Sequence, residues 1–405
     1  MTRRLKGASS ADTRSAILDL IRSSGQVSRI ELSEKSGLTE ATISKIVRAL
    51  IVDGLVVEAG FAESTGGKRP VLLELNTASR YALGVSLDYA RISLVLCNIS
   101  GNVLHSHAVP GAGRSKPQTV IDRVAREIGK FLDKHGIDRS DVIGIGVSGA
   151  GRLDASGGVL RSSRQTGEWE EFAIEAALCE ATGMPVILEN DANCAALGEF
   201  WSGRVSTAHD FATIYMATGI GCGLVINGDV YRGASSNAGE IGHLSLDIDG
   251  PECFCGSHGC LEVMATPAAV VRNARDDRAL WERLGLQERE GEDVRTSFAT
   301  IAAAAMSGDE SAESLVRRSA QYVATAVLGL TNIFDLDRIY LAGPGFATAG
   351  PIYLGVVRDV LERTAFMRKV HSVAVEMGET GPGAAARGAA SVVLHSHLTP
   401  HHLRG

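Results

Sequence analysis

The sequence predicts an α/β protein in which a small N-terminal helix-turn-helix unit precedes a larger body made of two similar halves. Three observations support this fold class. Residues 14–52 carry apolar side chains at helical spacing, residues 81–106 change to short apolar strands separated by turns, and residues 211–233 repeat that order of strands and turns. With 405 residues, the chain is long enough for two or three domains.

The composition excludes several classes of protein. Apolar residues make up 45% of the chain and charged residues 21%, which are ordinary values for a folded globular protein and argue against disorder. No stretch approaches the roughly eighteen consecutive apolar residues of a membrane helix, and the charged start of the chain lacks the apolar core of a signal peptide. We therefore expect a cytoplasmic protein without a membrane segment.

The net charge changes sign along the chain. Residues 1–70 contain 11 Lys and Arg against 8 Asp and Glu, whereas the remainder contains 29 Lys and Arg against 39 Asp and Glu. A basic head favours a nucleic-acid partner, and an acidic body favours a neutral or small ligand.

The N-terminal unit has the local signals of a winged helix-turn-helix. A first helix is predicted over residues 14–24, and Ser28 can cap a short second helix. Gly37 can then turn the chain, and Thr39 can cap a longer third helix. Apolar runs on both sides of residues 59–70 predict a hairpin, which would be the wing. The alternative is a helical hairpin that serves only packing or dimerisation.

The third helix and the wing tip carry the side chains that could contact DNA. Short hydrogen-bonding and cationic side chains face away from the apolar side of the helix, and these types reach base edges and phosphates. Two further cations at the wing tip could contact a groove or the backbone. The predicted DNA-binding residues are Thr39, Glu40, Thr42, Ser44, Lys45, Arg48, Lys68 and Arg69.

The body alternates strands and helices. A helix at residues 119–136 and a strand at 141–151 follow the first set of strands. Helices between residues 266 and 329, a strand at 338–343 and a closing helix near 383–396 follow the second set. We attribute the histidines of the tail to a frayed terminus rather than to a metal site. They are His395, His397, His401 and His402.

One short segment has the spacing of a metal site. His243 precedes Cys253-x-Cys255 by ten residues, and four residues separate Cys255 from Cys260. Three thiolates and an imidazole form a closed tetrahedral shell for structural zinc. His258 is a possible competing ligand, and a redox-active cysteine pair is the alternative to metal.

Polar side chains converge around this metal segment and at one strand-to-helix junction. Asn190 and Asp191 lie where a predicted strand meets a helix, which is where α/β folds present ligands. Asp191 could accept a hydrogen bond from a ligand hydroxyl or act as a general base, and a helix cap is the alternative. Glu240 and Glu262 flank the predicted metal ligands. Carboxylates, an amide and an imidazole without a cluster of cations suit a neutral polyol such as a sugar.

Several other segments resemble known motifs but lack residues that those motifs require. Residues 63–70 lack the first Gly and the last Ser or Thr of a phosphate-binding P-loop. The glycines at 219–223 precede a strand, whereas a dinucleotide-binding motif opens a helix. Residues 146–150 lack the final Gly of a hydrolase nucleophile elbow. Hydrolase and dehydrogenase chemistry are therefore unsupported.

The chain resembles the ROK family of repressors, open reading frames and sugar kinases. The resemblance rests on GEIGHL, CFCGSHGCLE, ENDANCAALGE and ATGIGCGLVINGDVYRGASSNAGE, and it spans nearly the whole chain. It implies a winged helix-turn-helix at residues 1–78 and a two-lobed actin/hexokinase-like body. The first lobe would comprise 79–190 and the helix 384–400, and the second lobe, with the zinc loop and a dimerisation surface, 191–383. The sugar contacts that it implies are Gly149, Asn190, Asp191, Glu240, His243 and Glu262.

The departures from the family pattern concern nucleotide binding. Kinases of this family carry Asp-x-Gly-Gly-Thr at the first strand turn, where the Asp manages magnesium and the glycines admit phosphate. Here Ser86 replaces the Asp, and Asp88, Tyr89 and Ala90 occupy the glycine-rich turn. The Gly-Gly turn near the adenosine is altered to residues 342–345 (AGPG). Only the second phosphate loop, Thr218-Gly219-Ile220-Gly221, is nearly intact, with Ala217 in place of a usual Gly.

A retained sugar pocket without phosphate and metal handling implies binding without turnover. The resemblance therefore implies a sugar-responsive transcriptional regulator, most simply a repressor, with structural zinc and no catalytic residues. It would bind double-stranded operator DNA as a homodimer or homotetramer. The alternatives are an active sugar kinase that also binds DNA, and a scaffold that recruits a protein to DNA.

Overall fold

The computed structural model describes residues 10–62, 69–88, 91–154, 157–161, 167–202, 210–287, 294–381 and 383–398. The chain forms two compact units. Unit 1 comprises Met1–Glu189, Phe200–Ser206 and Ala386–Gly405, and unit 2 comprises Asn190–Glu199 and Thr207–Ala385. In sequence, unit 2 is therefore inserted into unit 1. No helix of the described residues is long and apolar enough to cross a membrane.

The N-terminal part of unit 1 is a winged helix-turn-helix, as predicted. Its three helices and three strands, in chain order, are α1 Ser10–Ser24, β1 Val27–Ser28, α2 Arg29–Ser36, α3 Glu40–Val52, β2 Val56–Phe61 and β3 Val71–Leu75. The strands pair in the order β1-β3-β2. Strand β1 was not predicted, because two residues are too few to show an alternating pattern.

Local capping explains the boundaries of the second and third helices. The Ser28 Oγ accepts a hydrogen bond from the Glu31 N–H at 3.2 Å, and the Glu31 carboxylate accepts one from the Ser28 N–H at 2.7 Å. This reciprocal capping box satisfies two N–H groups that the first turn of α2 leaves without helical partners. Gly37 ends α2 in the left-handed conformation at φ 70°, and Thr39 caps α3.

The rest of unit 1 is built on a five-stranded sheet. Its elements are β4 Tyr81–Ser86, β5 Arg91–Asn98, β6 Val103–Pro110, α4 Pro117–His135, β7 Val142–Gly149, β8 Arg152–Asp154, β9 Val159–Arg161, α5 Gly167–Glu170, α6 Ile174–Thr182 and β10 Val186–Asn190. The next helix, α7 Asp191–Trp201, has its first nine residues in unit 2 and its last two in unit 1. The strand order is β10-β7-β4-β5-β6. Strands β8 and β9 form a separate small hairpin.

Unit 2 contains a second five-stranded sheet. Its elements, together with the last helix, are β11 Phe211–Met216, β12 Ile220–Ile226, β13 Asp229–Val230, α8 Leu261–Ala265, α9 Pro267–Asp276, α10 Arg278–Arg283, α11 Val294–Met306, α12 Glu310–Phe334, β14 Arg338–Ala342, α13 Gly350–Thr364, β15 Ala374–Met377 and α14 Ala384–Leu398. The strand order is β13-β12-β11-β14-β15. The 3-10 turn at Ile241–His243 lies between β13 and α8.

The two sheets have the same topology. In each, the first strand pairs antiparallel with the second and parallel with the fourth. The third strand lies at one edge of each sheet and the fifth at the other. The repeat that the sequence predicts is therefore present, and it makes α7 and α14 equivalent, because each follows the fifth strand of its sheet.

The winged helix-turn-helix, called the head below, shares a buried apolar core with the rest of unit 1. One buried apolar cluster includes Ile17 of α1, Leu73 of β3, Val95 of β5 and Leu394 of α14. Helix α14 lies so close to the sheet that a Cβ on Gly146 would be 1.9 Å from the carbonyl oxygen of Ala389. Glycine is therefore required at this contact.

The prediction of a frayed C-terminus is wrong for His395. Helix α14 continues to Leu398, and His395 is only 6% exposed. Its ring packs edge-on to that of Phe200, with 5.8 Å between the ring centres. His401 and His402 lie outside the described residues.

Candidate functional site

Helix α3 presents a polar face to solvent. Ile43, Val47 and Leu50 are fully buried on its other side. The predicted DNA-facing residues Thr39, Glu40, Thr42, Lys45 and Arg48 are exposed, and Ser44 is half-buried. Arg69 is exposed at the base of the wing, and Lys68 lies outside the described residues.

The four predicted metal ligands come together in unit 2. The ligand atoms of His243, Cys253, Cys255 and Cys260 all lie within 4.8 Å of one another. The Cys253 Sγ is 3.6 Å from the His243 Nδ1, and the Cys255 Sγ is 3.7 Å from the Cys260 Sγ. Tetrahedral zinc with bonds of about 2.3 Å to sulfur and about 2.1 Å to nitrogen places such pairs roughly 3.6 and 3.8 Å apart. The donor set therefore fits a tetrahedral metal ion.

The protonation of the thiols depends on their surroundings. Burial raises the pKa of Cys260 to about 12 and also raises the pKa of Cys253. The pKa of Cys255 is lowered, chiefly because the Ser257 N–H donates a hydrogen bond to its sulfur. A metal ion at this site would displace the protons of the buried thiols, because the thiolate is the ligand.

The loop that carries these ligands is held by its own backbone. The Cys253 N–H donates to the Ser257 carbonyl at 2.8 Å, and the Gly256 N–H donates to the Cys253 carbonyl at 2.9 Å. His258 is not part of the cluster, and its Nδ1 lies 3.3 Å from the Gly250 carbonyl oxygen. The structure therefore favours His243 over His258 as the imidazole ligand.

The metal loop fixes a carboxylate beside the glycine loop. Glu262 lies two residues after Cys260, at the start of α8. Its Oε2 is 3.0 Å from the position that a Cβ on Gly219 would occupy and 3.5 Å from that of a Cβ on Gly242. Glu240 immediately precedes the 3-10 turn that carries His243. The carboxylate of Glu262 therefore lies beside the second glycine-rich loop, close in sequence to the last cysteine of the metal loop.

The junction before α7 is capped by Asn190. The Asn190 Oδ1 accepts a hydrogen bond from the Ala192 N–H at 2.8 Å, so the alternative role proposed for Asp191, that of helix cap, belongs to Asn190 instead. Asp191 is half-buried in the first helical turn. The start of α7 packs on β12, since a Cβ on Gly223 would lie 2.3 Å from the Ala192 carbonyl oxygen. The sequence indicated a helix cap at this junction for Asp191, and Asn is equally among the preferred N-cap residues.

The remaining predicted sugar residue belongs to unit 1. Gly149 is buried at the end of β7, where a Cβ would lie 2.3 Å from the Leu160 Cδ2. Ser86 ends β4, beside Ser148 of β7 in the parallel register. Tyr89 and Ala90 lie outside the described residues. The position that carries a carboxylate in the kinase pattern therefore carries a neutral hydroxyl at a strand end.

The altered loop at residues 342–345 is packed tightly in unit 2. A Cβ on Gly343 would lie 2.5 Å from the Met216 carbonyl oxygen and 2.9 Å from the Tyr215 ring. A Cβ on Gly345 would lie 2.5 Å from the Met216 Cγ. Residues from β11 therefore fill the space against which this turn folds.

Family profiles match both parts of the chain. The ROK family matches residues 82–396, and a winged helix-turn-helix DNA-binding family matches residues 11–57. The xylose repressor of Bacillus spizizenii is 27% identical over 385 residues, which cover 94% of each chain. The N-acetylglucosamine repressor of Escherichia coli O157:H7 is 29% identical over 328 residues, covering 81% of this chain and 79% of that protein.

Solved structures support the same architecture. A ROK family transcriptional regulator homologous to the E. coli MLC protein superposes with a TM-score of 0.75 at 24% identity, covering 97% of this chain and 98% of its own. A ROK family glucokinase from Streptomyces griseus, solved with glucose and AMPPNP, superposes with a TM-score of 0.65 at 26% identity. It covers 77% of this chain and 98% of its own.

Proposed function

The chain belongs to the ROK family, and from this premise we propose that it is a sugar-responsive transcriptional repressor. The observation that carries the proposal is the combination, in one chain, of a winged helix-turn-helix with a solvent-facing α3 and a body with a cluster of potential metal ligands and a carboxylate beside a glycine-rich loop. Relatives named as repressors of xylose and N-acetylglucosamine functions span both parts of the chain. This role agrees with a cytoplasmic location.

DNA recognition is assigned to α3 and the wing. A recognition helix lies in the major groove, and its outward side chains contact base edges and phosphates. Lys45 and Arg48 are the exposed cations of α3, and Arg69 is a candidate for a backbone contact at the wing. A homodimer or homotetramer would place two such helices on a partly palindromic operator, with half-sites about one helical turn or a multiple apart.

A sugar is assigned to the carboxylates around the metal loop. Its hydroxyls would donate hydrogen bonds to Asp191, Glu240 and Glu262, which suits a neutral polyol because the site offers acceptors rather than a cationic cluster. Because the Nδ1 of His243 faces the thiols, its Nε2 lies on the opposite edge of the ring and could bind a sugar hydroxyl. Gly149 and Asn190 complete the proposed sugar contacts.

Zinc is the metal that suits three cysteines and one histidine. When bound, it would supply structural cross-linking of the loop rather than chemistry at a substrate. The chain's own residues would then bind the sugar: the cross-linked loop would hold the His243 ring in one orientation and would keep Glu262 beside Gly219.

A non-enzymatic role is proposed because the first phosphate turn lacks its carboxylate and glycines. Ser86 and Asp88 stand at that turn, and an anionic side chain there would repel a phosphate group. Two observations favour the kinase alternative: the loop at residues 218–221 and the candidate general base Asp191 are retained, and a glucokinase of the family superposes on the body. An ADP-release assay with xylose, glucose and N-acetylglucosamine separates the two, because a kinase would turn over on the per-second scale, about 1–100 per second.

The division into residues 1–78, 79–190 with 384–400, and 191–383 remains part of this proposal. The decisive experiment measures operator affinity by fluorescence anisotropy at fixed salt, across a panel of sugars. The DNA is a duplex selected from a random library by the purified full chain. A sugar that changes the dissociation constant supports the proposal, and unchanged affinity with every sugar would exclude the effector model.

A further inference from the structure

The first helix of the head is joined to the end of α7 by a cation and two aromatic rings. The Arg22 guanidinium carbon lies 4.4 Å from the centre of the Trp201 ring and 5.2 Å from that of Phe200. The Arg22 side chain is only 10% exposed, and it donates to the Asp19 carboxylate at 2.8 Å. These are cation–π interactions, and they are strong and directional when a guanidinium removed from water lies over an indole ring.

The aromatic end of α7 is also fixed on its other sides within unit 1. A Cβ on Gly101, in the turn between β5 and β6, would lie 3.2 Å from the Cβ of Trp201. Phe200 packs edge-on against His395 of α14. Trp201 is 2% exposed and shares its apolar cluster with Ile17 of α1. Any shift of this end of α7 would therefore displace α1, because Trp201 and Ile17 pack in the same buried cluster.

The opposite end of α7 carries the proposed sugar residue Asp191. Helix α7 is continuous from Asp191 to Trp201, although Asn190–Glu199 belong to unit 2 and the last two residues of the helix to unit 1. Ten residues of helix span about 15 Å. A helix of this length moves as one body, because each turn is hydrogen-bonded to the next. Asp191 and Trp201 are therefore the two ends of one continuous hydrogen-bonded helix.

We propose that α7 carries sugar occupancy to the winged helix, and that Arg22 is the positioning residue that receives it through Trp201. This inference rests on the proposed function and adds the route of its regulation. Sugar bound at Asp191 favours one orientation of α7, and the Arg22–Trp201 contact converts that orientation into a position of α1. Because binding linkage is reciprocal, DNA bound to the head changes the affinity for sugar by the same factor.

The test compares four full-length proteins: wild type, Arg22→Gln, Arg22→Lys and the matched control Arg14→Gln. Arg14 lies on the same helix but pairs with Asp53 inside the head. Operator affinity is measured with and without D-xylose and N-acetyl-D-glucosamine, and the ratio of the two dissociation constants is the coupling. Sugar affinity is measured separately by calorimetry without DNA.

Wild type and Arg14→Gln are expected to show a coupling of about 5- to 150-fold. Arg22→Gln should bind sugar and sugar-free DNA as wild type does, with a ratio close to one, whereas Arg22→Lys should retain most of the ratio because a cation stays over the indole. An unchanged ratio in Arg22→Gln would overturn the proposal. It would also be overturned if Arg14→Gln or Arg22→Lys lost the ratio as completely as Arg22→Gln. Loss of sugar-free DNA binding in Arg22→Gln would assign Arg22 a merely structural role and also overturn it. If no sugar changes the operator affinity of the wild type, the proposed function itself is wrong.

Discussion

A Cβ atom on Gly84 would lie 1.7 Å from the carbonyl oxygen of Ala386. The two residues belong to β4 and α14, which are far apart in the sequence but in contact within unit 1. No side chain larger than hydrogen fits at this distance, because the atom that it would meet is backbone and cannot rotate away. The last helix of the chain is therefore locked onto the first strand of the unit 1 sheet.

We expect Gly84→Ala to destabilise the protein by about 1–3 kcal/mol, because α14 must move away from the sheet. Chemical denaturation of the full chain measures this change. Gly355→Ala is the matched control: Gly355 lies in the middle of α13, and an added methyl group there would have no neighbouring atom within 4 Å. Gly355→Ala should raise the free energy of unfolding by roughly 0.5–1 kcal/mol, since glycine disfavours the helical conformation. Equal effects of the two changes would contradict the close approach.

The capping box of α2 should make the stability of the head depend on pH. Hydrogen bonds from the Ser28 backbone N–H and then its side chain lower the pKa of Glu31 below its ordinary value of 4.5. A carboxyl whose pKa is lower in the folded state adds stability above its unfolded pKa and loses it as pH falls through the folded value. We expect Glu31→Ala to lower the melting temperature at pH 7, and to lower it progressively less as the pH falls below 4.5. Glu34→Ala, at an exposed position of the same helix, should show no such difference.

Removal of one thiol should empty the metal site. We expect the wild type to bind one zinc ion per chain and Cys255→Ser to bind none. The variant should also melt at a lower temperature, because the loop that carries Glu262 would no longer be cross-linked. Elemental analysis of purified protein measures the metal content. Cys179→Ser removes an exposed thiol outside the cluster and should change neither quantity. A full complement of zinc in Cys255→Ser would rule out this ligand set.

The cations of α3 should set the salt dependence of DNA binding. We expect Lys45→Ala to weaken operator binding by roughly 1–2 kcal/mol, about five- to thirtyfold, and to reduce the slope of log affinity against log salt by about one. Anisotropy titrations at several salt concentrations measure both. Lys130→Ala removes an exposed positive charge from α4 and serves as control. If both variants bind alike, α3 is not the recognition helix.

The carboxylate of Glu262 should be required for sugar binding. A sugar at a hundred times its dissociation constant stabilises the wild type by about 2.7 kcal/mol, so its melting temperature rises. We expect Glu262→Gln to remove this rise with D-xylose or N-acetyl-D-glucosamine, because a charged hydrogen-bond acceptor of the proposed site is lost. Glu282→Gln changes an exposed carboxylate of α10 and should leave the rise intact. Retention of the rise in Glu262→Gln would remove this residue from the site.

The winged helix and the metal loop could be predicted closely because their signals are local. Ser28, Gly37 and Thr39 act on the residues next to them, and all three cap or end helices where the sequence indicated. The metal ligands likewise fall within eighteen residues, from His243 to Cys260, so a short loop suffices to bring them together. Local chemistry dictates both features.

The contacts between distant segments could not be predicted, since no periodicity encodes them. Arg22 and Trp201 are 179 positions apart, and only the folded unit 1 brings them together. His395 was misjudged for the same reason: nothing near it in sequence indicates that Phe200 covers it. The sequence indicated Asp191 as a possible cap of α7, whereas in the fold the Asn190 side chain caps it.

The interrupted layout of unit 1 has a consequence for protein synthesis. Its sheet leaves the ribosome early, but the helix that seals one face of that sheet, α14, comes last, after all of unit 2. At about 5–20 residues per second, the winged helix exists for many seconds before its support is complete. Nascent chains would thus contain a folded winged helix before unit 1 is complete. Removal of α14 from the C-terminus would destabilise unit 1, which contains the winged helix, rather than unit 2, which contains the metal loop.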